Sequence, residues 1–204
     1  MATRSLKIVP LALGLLVASA TAVWASAVVG ESAPDFTLDD TRGRPTSLSE
    51  FHGKYVVIEW FNHQCPFTRK HYDSGNMQAL QERFTGQGVV WLSINSGAAG
   101  KEGYTTPEQA EELTRQKRAA PTAVLLDHDG TVGHLYGART TPHVFLIDPA
   151  GRLIYAGALD DKPTVDVQDA ARAENYLERA FDEAKAGKPI SKPLTQPYGC
   201  SVKY

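Results

Sequence analysis

One short stretch of this 204-residue chain constrains its fold more than any other: an apolar run that leads into a cysteine. Residues 55–61 are apolar except for Glu59, which is the pattern of a central strand buried on both faces. Three polar residues follow and lead to Cys65, which a proline follows. Because proline is favoured at the first position of a helix, we predict a helix that starts directly after Cys65 and runs to Phe84, with a bend at Gly75.

The rest of the chain alternates strand and helix patterns. Further strands are predicted at 88–94, 123–126, 144–147 and 153–155, and further helices at 107–118, 131–136 (a short turn) and 168–186. Turn residues at 148–151 join the last two strands as an antiparallel hairpin, and a short hairpin is predicted near residues 36–44. The alternation predicts an α/β domain with a partly parallel sheet.

The first 27 residues have the pattern of a secretory signal peptide. Arg4 and Lys7 precede an apolar run at 8–22, and small residues lead to Ala27. The alternative is an uncleaved membrane anchor, but the run is shorter than the roughly 20 residues that span a bilayer. We therefore predict cleavage after Ala27, a secreted or periplasmic location, and no membrane attachment of the mature chain.

The charge balance argues against a nucleic-acid partner. Loss of Arg4 and Lys7 leaves 19 basic against 23 acidic residues, a net charge of −4. No basic run exceeds two adjacent residues. The chain has two cysteines, Cys65 in the middle and Cys200 near the C-terminus, so it can form a single intramolecular disulfide.

Three features together resemble the thioredoxin superfamily. The first is the strand, loop and helix around Cys65. The second is Thr141-Pro142 directly before a buried strand, where such folds carry a cis-proline that faces the cysteine. The third is the closing hairpin and helix. Residues 30–36 and 48–54 resemble the start of peroxiredoxin-type redoxin domains (the alkyl hydroperoxide reductase and thiol-specific antioxidant type).

This resemblance implies a thioredoxin-like three-layer α/β fold. A central mixed sheet flanked by helices, with an N-terminal hairpin extension, would occupy residues 28–186. An extended tail, residues 187–204, would carry Cys200. The segments 62–67 and 198–203 resemble a peroxiredoxin-like branch of the superfamily.

Two positions depart from the family patterns. Thr68 stands where dithiol oxidoreductases have their second cysteine, which removes a local Cys-x-x-Cys mechanism. Asn62 stands where typical peroxiredoxins have a threonine that hydrogen-bonds the peroxide, and Ile58 stands where they have a proline. The amide of Asn62 offers a donor in place of that hydroxyl.

Cys65 is the predicted nucleophile. At a helix N-terminus, unpaired backbone N–H groups and the helix dipole favour the thiolate. Positive charge nearby, from Arg69 and Lys70 and from His63 and His71 if protonated, is expected to lower the pKa of Cys65 below its usual value of about 8.5.

Cys200 has three possible roles. It resolves a sulfenic acid or mixed disulfide on Cys65, it forms a permanent structural disulfide, or it is a free thiol. The resemblance also assigns Thr141 and Pro142 to the site, where a cis bond aims the Thr141 backbone at Cys65. Arg139 either steadies an anion there or is a surface charge.

The leading hypothesis is an extracytoplasmic thiol-disulfide oxidoreductase or thiol peroxidase. Its partners would be a peroxide or disulfide substrate and an external thiol reductant, with no cofactor and no metal; the oligomeric state stays open. One alternative is a redox-inactive module that binds peptides beside Pro142. Another is a copper-handling protein that uses Cys65 and the histidines 63, 71, 134 and 143.

Overall fold

A computed structural model describes residues 26–204. The predicted signal peptide lies outside the described residues except for its last two positions. A seven-stranded mixed sheet forms the centre of the fold. Its strands are β1 (Thr37–Asp40), β2 (Pro45–Ser47), β3 (Val56–Trp60), β4 (Val90–Asn95), β5 (Ala123–Leu126), β7 (His143–Ile147) and β8 (Leu153–Gly157). They lie side by side in the order β2-β1-β5-β4-β3-β7-β8.

Five α-helices accompany the sheet within the described part of the chain. They are α1 (Pro66–Asp73), α2 (Asn76–Thr85), α3 (Pro107–Gln116), α4 (Thr131–Tyr136) and α5 (Tyr176–Lys185), and two 3₁₀ turns lie at Leu48–Phe51 and Val167–Ala171. A separate two-stranded sheet pairs β6 (Thr140–Thr141) with β9 (Cys200–Ser201).

Strand β3 determines where the chemistry is located. All five of its residues are buried, and it pairs in parallel with β4 and antiparallel with β7. Trp60, at the end of β3, is the register partner of His143, at the start of β7. The loop after β3, which carries Cys65, and the Thr141-Pro142 segment before β7 therefore meet at the same edge of the sheet.

The apolar core lies on both faces of the sheet. On one face Trp60 packs against Tyr136 of α4 and Phe145 of β7. On the other face, α2 and α5 contribute a second cluster that includes Phe84 and Phe181, whose ring centroids are 4.6 Å apart. Burial of this apolar area on both faces is the main stabilisation of the three layers.

The structure corrects two of the predicted helices. The helix predicted at 66–84 is two helices, because Gly75 adopts a left-handed conformation (φ +79°) that ends α1 and starts α2. The helix predicted at 168–186 was too long. The α-helix begins only after Asn175, whose side-chain oxygen accepts the N–H of Glu178 at 2.9 Å and caps it.

The tail, residues 187–204, is extended and returns to the edge where β6 lies. There Thr141 is the register partner of Cys200 in an antiparallel pair. Within residues 26–204, no helix is long and apolar enough to cross a membrane.

Candidate active site

Cys65 occupies the N-cap position of α1, and its side chain is completely buried, with 0% exposure. Its thiol donates a hydrogen bond to the carbonyl oxygen of Thr141 at 3.0 Å. The backbone N–H of Cys200 donates to Sγ of Cys65 at 3.4 Å. The two cysteines, 135 positions apart in the sequence, therefore lie next to each other in the folded chain.

The surroundings of Cys65 favour its thiolate. Burial by itself raises the pKa of this thiol, but hydrogen bonds from the Cys200 side chain and from the backbone N–H of Thr68 outweigh burial, and the net pKa is lowered. The N–H of Thr68 belongs to the first turn of α1, so the helix terminus acts as the sequence predicted.

Cys200 has the opposite behaviour. It is half-buried, and burial together with the adjacent Cys65 raises its pKa to about 12. Both cysteines are free thiols. Of the pair, Cys65 ionises first, because only its sulfur lies at the helix N-terminus and accepts the N–H groups.

The Thr141–Pro142 peptide bond is cis, as the resemblance implied. It directs the Thr141 carbonyl at Cys65. Arg139 joins the same segment through its backbone, since its carbonyl accepts the N–H of Val202 at 3.1 Å. The guanidinium of Arg139 belongs to an exposed residue.

Asn62 and Thr68 act on Cys65 through their backbones. The carbonyl of Asn62 accepts the N–H of Cys65 at 3.1 Å. Its side-chain oxygen instead accepts the N–H of Gln64 at 2.8 Å, and its amide nitrogen donates to Glu102 at 3.4 Å. Thr68 is buried, and its hydroxyl has no hydrogen-bond partner in the described chain.

Two of the four side chains predicted to place positive charge around Cys65, Lys70 and His71, do not do so. Lys70 is buried and donates to Asp160 at 3.3 Å, to the carbonyl of Lys162 at 2.7 Å and to the hydroxyl of Tyr198 at 3.0 Å. Burial lowers the pKa of His71 to about 4, so this ring is neutral at pH 7. The prediction was wrong for both residues, because each lies in the interior and bonds elsewhere.

The other two cationic candidates contribute little as well. Burial lowers the pKa of His63, which keeps it neutral. Arg69 is exposed and faces Asp73 at 3.6 Å. The lowered pKa of Cys65 therefore rests on hydrogen bonds and on the helix terminus rather than on side-chain cations.

Two tyrosines that the sequence analysis missed hold the tail on either side of Cys200. Tyr198 packs edge-on against Phe67, with 5.8 Å between ring centroids, and its hydroxyl donates to Asp160. Tyr204 stacks on His134 with centroids 4.0 Å apart, and its hydroxyl donates to the carbonyl of Ala138 at 2.8 Å. The available sequence signal was a pair of aromatic residues flanking a cysteine in a short polar tail.

Glu59, on β3, is a fully buried acid. Its carboxylate accepts hydrogen bonds from Trp91 and Ser93, both at 2.9 Å, and from Tyr72 at 3.0 Å. Burial raises its pKa in spite of these donors.

Residues 26–204 contain no group of three His, Cys, Asp or Glu side chains that could hold a metal ion.

The family of the chain follows from a comparison with known families. The model of the AhpC/TSA family matches residues 29–156. The chain belongs to the AhpC/TSA family. This AhpC/TSA protein is also similar to the thiol-disulfide oxidoreductases ResA of Geobacillus thermodenitrificans and Bacillus subtilis, at 28% identity in each case. Each match covers 61% of this chain and 66% and 64% of the two relatives, just under two thirds of their length.

Solved structures confirm the fold. An uncharacterised conserved protein from Geobacillus kaustophilus superposes with a TM-score of 0.74 at 24% identity, covering 87% of this chain and 92% of the other. A hypothetical protein from Sinorhizobium meliloti 1021 has a TM-score of 0.73 at 26% identity, covering 88% and 96%. A thiol:disulfide interchange protein DsbE from Chlorobium tepidum has a TM-score of 0.53 at 26% identity, covering 64% and 85%. The predicted thioredoxin-like three-layer α/β fold is therefore confirmed.

Proposed function

We propose that this AhpC/TSA protein is a two-cysteine thiol-disulfide oxidoreductase, with Cys65 as the nucleophile and Cys200 as the resolving cysteine. The observation that carries the proposal is the hydrogen bond from Cys200 N–H to the Cys65 sulfur, within a pair whose pKa values diverge. A low pKa suits the attacking thiol, and proximity lets the second thiol complete the exchange.

The reaction proceeds by two thiol exchanges. The Cys65 thiolate attacks a substrate disulfide, forms a mixed disulfide and releases the first substrate thiolate. Cys200 then loses its proton and attacks Cys65, which forms the Cys65–Cys200 bond and releases the second substrate thiolate. The substrate gains two electrons and the protein loses two. An external thiol reductant returns the pair to its reduced state.

A peroxide is the second substrate class, which family membership favours. Attack by the Cys65 thiolate on the peroxide oxygen gives a sulfenic acid and, after protonation, an alcohol or water, and Cys200 then displaces water to form the disulfide. The side chains of Asn62 and Arg139 offer little to a bound peroxide, since the first bonds elsewhere and the second is exposed. We therefore place disulfide exchange first.

We also propose that the protein works outside the cytoplasm. The support is the signal-peptide pattern of residues 1–27, together with a cysteine pair suited to an oxidising compartment. The reductant would then be an extracytoplasmic dithiol protein or a small thiol.

The decisive experiment compares wild type with Cys65→Ser and Cys200→Ser after addition of one equivalent of oxidised glutathione or hydrogen peroxide. By intact mass, wild type should lose two hydrogens as the internal disulfide forms. Cys200→Ser should retain a glutathione adduct or a sulfenic acid on Cys65, and Cys65→Ser should not react. The ratio of the two wild-type rates identifies the preferred substrate class.

Two results would contradict the proposal. One is a Cys65 thiol that titrates at or above about 8.5 and stays unmodified by both oxidants. The other is equal adduct formation on Cys200 in the Cys65→Ser variant, which would remove the distinction between nucleophile and resolving cysteine. A redox-inactive peptide-binding module would instead bind its peptide equally well after Cys65→Ser.

A further inference from the structure

We propose that residues 200–204 form a flap that opens from its C-terminal end to admit substrate to Cys65. Tyr204 is the latch of this flap, and Tyr198 with Gly199 is its hinge. The inference concerns regulation of the site described above and rests on its proposed function, but its test does not require turnover.

In the closed arrangement, no part of the Cys65 side chain is exposed. Three hydrogen bonds of the flap backbone, one of them to Cys65 itself, hold the flap in place besides the β6–β9 pairing. Cys200 N–H donates to the Cys65 sulfur, Val202 N–H to the carbonyl of Arg139 at 3.1 Å, and the carbonyl of Lys203 accepts the N–H of Ala98 at 2.8 Å. A disulfide substrate cannot reach the sulfur along a line of attack until these contacts break.

The hinge end of the flap is firmly held. The hydroxyl of Tyr198 lies between Lys70 and Asp160, two charged side chains that are both at most 2% exposed. Release of Tyr198 would take a hydrogen-bond partner from each of these buried charges, which is costly. Next to it, Gly199 (φ +138°) approaches the Thr141 carbonyl so closely that a Cβ would overlap that oxygen. This part of the tail is therefore expected to remain in place.

The latch end is held more weakly. The Tyr204 ring stacks on His134, which is itself exposed, and a single side-chain hydrogen bond connects its hydroxyl to Ala138. The ring fits because Gly130 and Gly133 have no side chain there; a Cβ at either position would overlap it. Since no buried charge depends on Tyr204, opening from this end costs less than opening from the hinge.

Opening also changes what can bind. β9 pairs with the short strand β6 through the backbone, so the closed flap occupies an edge where an extended polypeptide would pair. Lifting residues 200–204 frees Thr140 and Thr141 together with Cys65. The flap thus excludes polypeptide disulfides when closed and admits them when open.

The test measures the rate at which iodoacetamide alkylates Cys65. All proteins carry Cys200→Ser, so that Cys65 is the thiol whose alkylation is measured. Tyr204→Ala removes the latch ring, and Gly133→Ala fills the slot while leaving the tail sequence intact. Because modification of a buried group follows the population of its opened form, each variant should react about tenfold faster or more.

Leu194→Ala is the matched control. Leu194 lies in the tail before the hinge and is 70% exposed, so its truncation should leave the alkylation rate within about twofold of the parent. Gly133→Ala loses the Tyr204 contacts but gains about 1 kcal/mol of helix propensity within α4, so its melting temperature should stay within about 4 °C of the parent. A faster rate at an unchanged melting temperature does not come from general unfolding.

Rates for Tyr204→Ala and Gly133→Ala within twofold of the parent would overturn the proposal. An equal acceleration in Leu194→Ala would do the same, since it would show that the whole tail is loose. If the flap variants accelerate alkylation but wild type fails to exchange disulfides, the flap stands and the proposed function falls.

Discussion

The hydroxyl of Tyr198 offers a sharp test of how the tail is held. Burial first, and then the hydrogen bond to Asp160, raise its pKa well above the usual range, so that it remains a donor at all ordinary pH values. It donates to Asp160 and accepts from Lys70. Tyr198→Phe removes both bonds and keeps the ring contact with Phe67.

The expected loss in the free energy of unfolding follows from these contacts. A hydrogen bond to a charged group contributes about 1.5–3 kcal/mol. In the variant, the Lys70–Asp160 ion pair at 3.3 Å and the hydrogen bond from Lys70 to the Lys162 carbonyl remain. The loss of stability should therefore be smaller than the sum of the two lost hydrogen bonds. We expect Tyr198→Phe to lower the free energy of unfolding by about 2 kcal/mol, which for a domain of this size corresponds to roughly 4–8 °C in Tm.

The assay is urea unfolding of the fully reduced protein, followed by fluorescence. Tyr104→Phe is the matched control, because the Tyr104 hydroxyl makes no hydrogen bond within residues 26–204, and it should change the free energy by at most about 0.5 kcal/mol. A Tyr198→Phe protein as stable as the Tyr104→Phe control would refute the buried Lys70–Asp160–Tyr198 network as an anchor of the tail.

Two further predictions concern pH and the hinge. The pKa of His71 falls to about 4 in the folded protein, chiefly through burial, whereas it is near 6.5 in the unfolded chain, so the stability present above pH 6.5 is lost as the pH falls towards 4. Between pH 7 and 4.5, wild type should lose about 2 kcal/mol more than His71→Gln in urea unfolding, and parallel pH profiles would contradict this. Gly199→Ala should displace the tail from Thr141 and slow internal disulfide formation after oxidised glutathione about tenfold or more, measured by thiol counting. An unchanged rate would show that the close approach at Gly199 does not position Cys200.

Local patterns predicted the parts of this fold that depend on neighbouring residues. The position of Cys65 at a strand-to-helix junction follows from an apolar run and a following proline, and the structure has it there. The predicted start of the helix at 168–186 was wrong, because the helical spacing of apolar residues continues through a segment that forms a 3₁₀ turn. Asn175 followed three positions later by Glu178 was the available sign of the true start.

The sequence does not predict which residues pair with partners far away along the chain. The sequence predicts Lys70 as a cation beside Cys65, yet its carboxylate partner Asp160 lies 90 positions away and holds the ammonium group in the interior. The same applies to Tyr198, whose role depends on that pair. A residue's charge can be taken from the sequence, but the group that neutralises it depends on how distant segments meet.

The anchored tail has a consequence for the redox potential of the cysteine pair. Tyr198 and Tyr204 keep Cys200 beside Cys65 in the reduced protein, which gives its thiol a high effective concentration at that sulfur. By linkage, whatever stabilises the docked tail also favours the disulfide, and the disulfide in turn stabilises the docked tail. A variant with a looser tail should therefore hold its disulfide less tightly and be the stronger oxidant. The contacts that two tyrosines make with groups other than the cysteines thus help to set the direction in which electrons flow through this site.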